Sequence, residues 1–417
     1  MHESGKDKME LDRKRDGQQW ALDYVIAETG REQNFENPGR RFPETVKSYR
    51  MIPRVLFKEA DHLETLARGA EDAGHAHTAR RLYFKAVQTY RHAHHSIFTD
   101  DHPEKLFLFG RMTDCFDRII ALSDGRLERV EVPWEDATLS GVFHRAPGPD
   151  PKPTVMFFPG MDMSKEAFPD PDDNPFAQRG IHVLSIDGPG QGASNLRKIH
   201  VTEDNYERAA GVFFEHLLER EDVDASKVAV SGFSMGSFWG MRFAALEPRL
   251  AAVATAGACY GGKREIFNVS SPRFKQIFMY MAGLTDEKAF DKMAAKMVLG
   301  EEVAQIVAPC LMVTGEYDPL AYLEDTVEVY NAVTAPKELW VLENEFHFPL
   351  ESSSPNLGQR PVFDFIADWL VDAFASRYAE GYAREVFLEQ STGSGPYATT
   401  SRGFFLPERA GYRPTRP

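Results

Sequence analysis

Lys227-Val228-Ala229-Val230-Ser231-Gly232-Phe233-Ser234-Met235-Gly236 carries a short strand pattern into a G-x-S-x-G turn. An apolar helical pattern follows at once, through Phe238, Trp239, Met241, Phe243, Ala244 and Leu246. Strand, sharp turn and helix are the context in which this motif forms a nucleophile elbow. Such a turn strains the backbone at Ser234, and glycines two before and two after it remove side chains that would clash. The Ser234 hydroxyl is expected at the top of a sheet, with the N–H of Met235 aimed at a developing oxyanion. Taken bare, the same letters also describe a tight turn with an exposed serine, so the rest of the chain must decide.

A serine hydroxyl needs a base to take its proton and an acid to orient that base, in the chain order Ser, Asp or Glu, His. Downstream, Cys310-Leu311-Met312-Val313-Thr314 reads as a buried strand, and Gly315-Glu316-Tyr317-Asp318-Pro319 as the turn after it. Asp318 holds the acid position, with Glu316 as the alternative; Asp318 before Pro319 also fits a helix cap. Glu338-Leu339-Trp340-Val341-Leu342 is a further strand, and His347 falls in the loop behind it. Of 13 histidines it alone lies beyond residue 216, so no other satisfies the order.

Two upstream strands end in loops of matching kind. Thr154 to Phe158 runs into Pro159-Gly160-Met161-Asp162, where Gly160 or Met161 would supply the second oxyanion-hole N–H. Ile181 to Ile186 runs into Asp187-Gly188-Pro189-Gly190-Gln191-Gly192. This glycine-rich loop has neither a G-K-[ST] ending nor G-x-G-x-x-G spacing, which excludes a nucleotide site.

Strands near 155, 183, 228, 253, 311 and 340 alternate with helical stretches, which predicts a mostly parallel sheet covered on both faces. Before it, 129–132 and 138–143 alternate with period two, as an antiparallel pair would. Residues 1–20 read as a flexible start and 21–125 as a helical N-terminal region. Leu56, Ala60, Leu63 and Ala67 recur at helical spacing, as do Ala79, Tyr83, Ala86 and Tyr90. The core is expected over 126–383, with an insertion at about 260–305 rich in Phe and Met. Most of those apolar residues should be the core of short helices, with about a third facing substrate. The extension 384–417 has little periodicity and reads as disordered, although its aromatic residues would also permit a strap across a second copy in a homodimer.

A net charge of −15 argues against nucleic acid or an anionic membrane surface as partner. No apolar run approaches the ~20 residues of a membrane span, and Met1 to Asp16 has no signal-peptide core. Cys115, Cys259 and Cys310 lie far apart in apolar runs, which suits a reducing cytoplasm. His75, His77, His92, His94, His95 and His102 crowd the N-terminal region, but no four-ligand set completes a metal site. They read as surface or inter-domain histidines, and neither metal nor cofactor is expected.

The D-G-P-G-Q-G loop, the elbow at Ser234, G-E-Y-D at Asp318, and His347 together resemble the α/β-hydrolase superfamily over roughly residues 126–375. The helical N-terminal region and P-G-M-D-x-S-K-E (Pro159 to Glu166) are similar to one subgroup of it. That subgroup holds 2,6-dihydroxypseudooxynicotine hydrolase, fungal polyketide-shortening hydrolases and esterases related to the fermentation-respiration switch protein. The resemblance implies an α/β-hydrolase fold with a helical cap and a lid, acting on esters or on carbon–carbon bonds next to a ketone.

Glu265 follows the strand ending at Ala256 and begins the insertion, on the catalytic side of such a sheet. Beside Lys263 and Arg264 it reads first as a solvated charge. If the scissile bond joins a carbonyl to carbon, a desolvated carboxylic acid there would protonate the poor leaving group. The reading is a serine hydrolase of a small-molecule substrate, leaning to an aromatic or polyketide-like ketone. A carboxylesterase or lactonase is the alternative within enzymes. A non-catalytic ligand-binding protein on the same scaffold is the alternative outside them.

Overall fold

The computed structural model describes residues 19–31, 42–348 and 353–391. Among the described residues four helices come first: α1 (Gln19–Thr29), α2 (Ile52–Asp72), α3 (Ala76–His95) and α4 (Pro103–Ala121). Then come β1 (Leu127–Trp134), β2 (Ala137–His144), β3 (Lys152–Phe158) and β4 (His182–Asp187). Helices α5 (Gly192–Leu196) and α6 (Asn205–Leu218) precede β5 (Val223–Phe233), α7 (Met235–Leu246) and β6 (Ala252–Ala256). The insertion holds α8 (Lys263–Val269), α9 (Pro272–Met281) and α10 (Glu287–Ala294). The described residues close with β7 (Cys310–Gly315), α11 (Leu323–Ala332), β8 (Lys337–Leu342), the short strands β9 (Ser353–Ser354) and β10 (Arg360–Pro361), α12 (Val362–Phe374) and β11 (Ala383–Leu388).

The chain divides into two compact units. One joins the N-terminal helices to 264–292, so most of the insertion groups with those helices; the other holds 123–263 and everything from 293.

In the helical unit, α2 and α3 form a hairpin turned at Gly74. Helical spacing selects Leu63 for the buried stripe, yet Leu63 is half-buried and Glu64 is buried. The carboxylate is tolerated there because α3 and α4 supply donors: Tyr90 Oη at 2.9 Å, and Arg111 Nε at 3.0 Å and Nη2 at 2.6 Å. His94 corrects the expectation of surface or inter-domain histidines. It is buried, edge-on to Phe109 at 5.3 Å, and burial holds its ring well below the usual imidazole pKa. Lys105 is buried too; its Nζ donates to the carbonyls of His94 and Ile97 and lies 4.6 Å from the Tyr280 ring centre. Within the insertion Phe267, Phe278 and Phe290 pack on one another at 5.0–6.0 Å, as residues of a small helical core do.

In the other unit, nine strands among the described residues form one sheet in the order β1-β2-β4-β3-β5-β6-β7-β8-β11. β2 runs antiparallel to both β1 and β4; the remaining neighbours are parallel. Every residue of β4, β6 and β7 is buried, as strands covered on both faces require. Two adjacent residues of β3 show both layers, because successive side chains leave a strand on opposite faces. Phe157 packs on Phe168 and Phe363, the latter from α12, with ring centres 4.7 and 5.8 Å away. Phe158 packs on Tyr206 of α6 and Phe243 of α7, at 5.6 and 6.0 Å.

β11 departs from the expectation of disorder beyond residue 383. Ala383–Leu388 pairs with β8 in parallel register, Ala383 opposite Lys337 and Leu388 opposite Leu342. Buried Phe387 seats it, and backbone hydrogen bonds to an open sheet edge supply what its periodicity lacks. The expectations for residues 1–18 and for the tail from 392 lie outside the described residues. No helix among the described residues is long and apolar enough to cross a membrane.

Candidate active site

The parallel strands end together at one edge of the sheet, and β5 passes there directly into α7 through Ser234. Ser234 has φ 54° and ψ −119°, a conformation L residues rarely adopt. Packing over-determines it. A Cβ on Gly232 would stand 2.3 Å from the Gly236 carbonyl oxygen, and one on Gly236 would stand 2.0 Å from that of Phe158. Only glycine lets β3, the turn and α7 approach so closely. The Ser234 N–H donates to the Ala256 carbonyl at 2.9 Å, and the Ser237 hydroxyl donates to the Ser234 carbonyl at 2.5 Å.

Three side chains from three loops meet here. His347 Nε2 lies 2.9 Å from Ser234 Oγ, and His347 Nδ1 lies 2.7 Å from Asp318 Oδ2. The Asp318 side chain is fully buried. Its other oxygen accepts from the N–H groups of Leu320 and Ala321 at 2.8 and 3.1 Å. One carboxylate thus holds its own turn and, through Oδ2, the imidazole; this merges the two readings of Asp318, although α11 begins only at Leu323. Glu316 turns elsewhere and accepts from the Asn344 N–H at 3.0 Å. Burial pushes its carboxyl above the usual range.

Met235 is the first residue of α7, where a backbone N–H has no partner within the helix and the helix dipole favours negative charge. Gly160 lies against Ser234, since a Cβ on it would stand 3.4 Å from Ser234 Cβ. The loop carrying Gly160 and Met161 is tied to the loop after β4. Gln191 Nε2 donates to the carbonyls of Pro159 at 3.2 Å and Gly160 at 2.8 Å. Asp187 accepts from the backbone N–H of Lys165 at 2.7 Å and from its ammonium at 2.8 Å. Lys165 also pairs with buried Glu166 at 2.7 Å. Asp187 and Gln191 were visible in sequence only as members of a glycine-rich turn; their spacing within D-G-P-G-Q-G was the available signal.

Glu265 falls on α8, in the helical unit, and is exposed.

A nine-stranded, mostly parallel sheet with helices on both faces and a strained serine between β5 and α7 defines an α/β-hydrolase. A family model described as esterase FrsA-like matches residues 62–300, more than half of the chain. The chain belongs to this FrsA-like esterase family. It is 26% identical to the 2,6-dihydropseudooxynicotine hydrolase of Paenarthrobacter nicotinovorans over 272 residues, covering 64% of this chain and 70% of the relative. It is 28% identical to the α/β hydrolase xenA of Xenoacremonium sinensis over 247 residues, spanning 56% of this chain and 57% of that one. Esterase FrsA of Escherichia fergusonii is 36% identical over 126 residues, 29% of each chain. The crystal structure of the 2,6-dihydroxy-pseudo-oxynicotine hydrolase superposes with a TM-score of 0.68 at 22% identity, over 87% of this chain and 95% of its own, which establishes the shared fold.

Proposed function

We propose that this protein is a serine hydrolase that cleaves a carbonyl substrate through an acyl-enzyme, with Ser234 as nucleophile, His347 as base and Asp318 as orienting acid. The observation that carries it is the hydrogen-bonded series Ser234 Oγ, His347, Asp318 at 2.9 and 2.7 Å. Ser234 Oγ bonds to the carbonyl carbon while its proton passes to His347 Nε2. The oxyanion forms against the N–H of Met235 and that of Gly160 or Met161. Collapse breaks the bond to the leaving group, which departs with the proton that His347 took from Ser234. Water, deprotonated by His347, then releases the acid and restores Ser234.

The substrate we favour is an aromatic or polyketide-like ketone cleaved at a carbon–carbon bond. Similarity to a 2,6-dihydropseudooxynicotine hydrolase over 64% of the chain supports this choice. In that reaction Glu265 assists the departing carbon by relaying to it the proton that His347 took from Ser234, which leaves His347 neutral to deprotonate water and Glu265 a carboxylate again. The second reading is a carboxylesterase or lactonase. Exposed Glu265 favours it, since an alkoxide leaves with the proton of His347 alone. A ligand-binding protein without activity would not need serine, imidazole and carboxylate in hydrogen-bonding register. Buried Cys115, Cys259 and Cys310 thiols suit a reducing cytoplasmic setting.

Exposure to a fluorophosphonate, read by intact-protein mass, is the test. One adduct on wild type and none on Ser234→Ala is the expected result. An adduct retained by the variant refutes Ser234 as nucleophile. Turnover of aryl ketones against p-nitrophenyl esters then separates the two substrate classes.

A further inference from the structure

The buried amide of Gln191 spans the two loops beside the nucleophile and uses its whole hydrogen-bonding capacity there. A carboxamide has two donors and two acceptor positions. Both donors of Nε2 go to consecutive carbonyls, Pro159 at 3.2 Å and Gly160 at 2.8 Å. Oε1 accepts from the Gly188 N–H at 3.2 Å and from the Tyr206 hydroxyl at 2.9 Å. Chemistry fixes this orientation: a flipped amide would set its oxygen against two carbonyls and its NH2 against an N–H. Gln191 is 2% exposed, so water does not compete for these bonds.

These carbonyls belong to the two peptide units whose N–H groups are those of Gly160 and Met161. In a planar trans peptide the C=O and N–H point in opposite directions. Holding the carbonyl therefore aims the N–H. Whichever of the two N–H groups receives the oxyanion, Gln191 grips the far side of its peptide. Gln191 is itself held by Tyr206, whose ring stacks on Trp239 at 3.8 Å with the planes 2° apart. Trp239 lies on α7, the helix that begins with Met235. The chain α7, Tyr206, Gln191, Pro159–Gly160 thus couples one donor of the oxyanion hole to the other.

We infer that Gln191 is a positioning residue that orients the Gly160–Met161 edge of the oxyanion hole, with Tyr206 as its support. This rests on the reading of Ser234 as nucleophile. It places in the loop after β4 a determinant of rate that touches neither the proton relay nor the reacting bond.

The test uses the full chain, with p-nitrophenyl butyrate as substrate and an aryl trifluoromethyl ketone as mimic of the tetrahedral adduct. Gln191→Met keeps the length and loses both donors; Gln191→Glu keeps the acceptor and loses the same donors. Each should lower kcat by about 10- to 100-fold, less than outright loss of an oxyanion donor, with KM within about twofold. Affinity for the ketone should fall in parallel, and the pH profile of kcat/KM should stay in place. Tyr206→Phe retains the stack on Trp239 and should lower kcat by about three- to tenfold, which keeps the inference testable if a Gln191 variant fails to fold. Wild-type kcat and ketone affinity in folded variants overturn the inference while Ser234 still reacts with a fluorophosphonate. So does a loss confined to KM. A wild type inert to the fluorophosphonate overturns the nucleophile and this inference together.

Discussion

Replacing Gly236 by alanine places one methyl group where three backbone atoms already stand. The new Cβ would meet the Phe158 carbonyl oxygen at 2.0 Å, its carbon at 2.7 Å and the Pro159 carbonyl oxygen at 2.8 Å. Helical propensity favours alanine by roughly 0.5–1 kcal/mol, whereas overpacking of this kind costs about 1–3 kcal/mol or more. Overlap wins because the obstructing atoms are main chain and cannot rotate away. To reach 3.0 Å from the methyl, the end of β3 must retreat by at least 1.0 Å. That segment leads straight into Pro159 and Gly160, so the retreat displaces one side of the oxyanion hole relative to Ser234. A misplacement of about 1 Å costs on the order of 100-fold in rate. Gly236→Ala should therefore lose about 100-fold in kcat on an activated ester and melt several degrees lower. Gly240, one turn along the same helix, is the control: its Cβ would meet two side-chain methyls, Val230 Cγ1 at 3.2 Å and Thr255 Cγ2 at 3.8 Å. Gly240→Ala should keep activity within about twofold, since a flexible side chain can give by a few tenths of an ångström. A folded Gly236→Ala enzyme within about threefold of wild type would refute the reasoning, because it would mean that β3 and α7 can separate without moving the hole.

Asp318→Asn should lower kcat by about 10⁴-fold through the wrong imidazole tautomer, while Glu316→Gln, which still accepts from Asn344, should leave kcat near wild type. The reverse ranking in steady-state kinetics would exchange the two carboxylates. Glu265→Gln should slow ketone cleavage at least about tenfold more than hydrolysis of an activated ester; equal effects remove its acid role. Burial brings the Lys105 ammonium down from 10.5 to about 7. Between those values the unfolded chain binds the proton and the folded chain does not. Stability therefore rises with pH across that window by ~1.4 kcal/mol per unit and is lowest below it. Lys105→Met, compared with wild type by chemical denaturation, should gain most near pH 7 and progressively less towards pH 10. A pH-independent difference would show that Lys105 keeps its charge when buried.

The local chemistry of this protein was legible from its letters. A strained elbow needs glycine on either side of serine, a lone downstream histidine is the one candidate base, and short apolar runs alternating with helical stretches read as strands covered on both faces. These features depend on neighbours within a few residues or on chain order. Tertiary structure decided the rest because each case turns on partners distant in sequence. Asp318, not Glu316, lies within hydrogen-bonding distance of the His347 ring because their turn folds against the loop of His347, 29 residues on. Glu64 displaced Leu63 from the buried stripe because Tyr90 and Arg111, 26 and 47 residues away, supply its hydrogen bonds. β11 exists because β8 offers an open edge, a property of the sheet rather than of Ala383–Leu388. Gln191, one letter of a glycine-rich turn, gained a role only when Pro159, Gly160 and Tyr206 closed around its amide. Sequence determined which groups could react; packing determined which of them were aimed, because a hydrogen bond has a direction that composition and spacing do not carry.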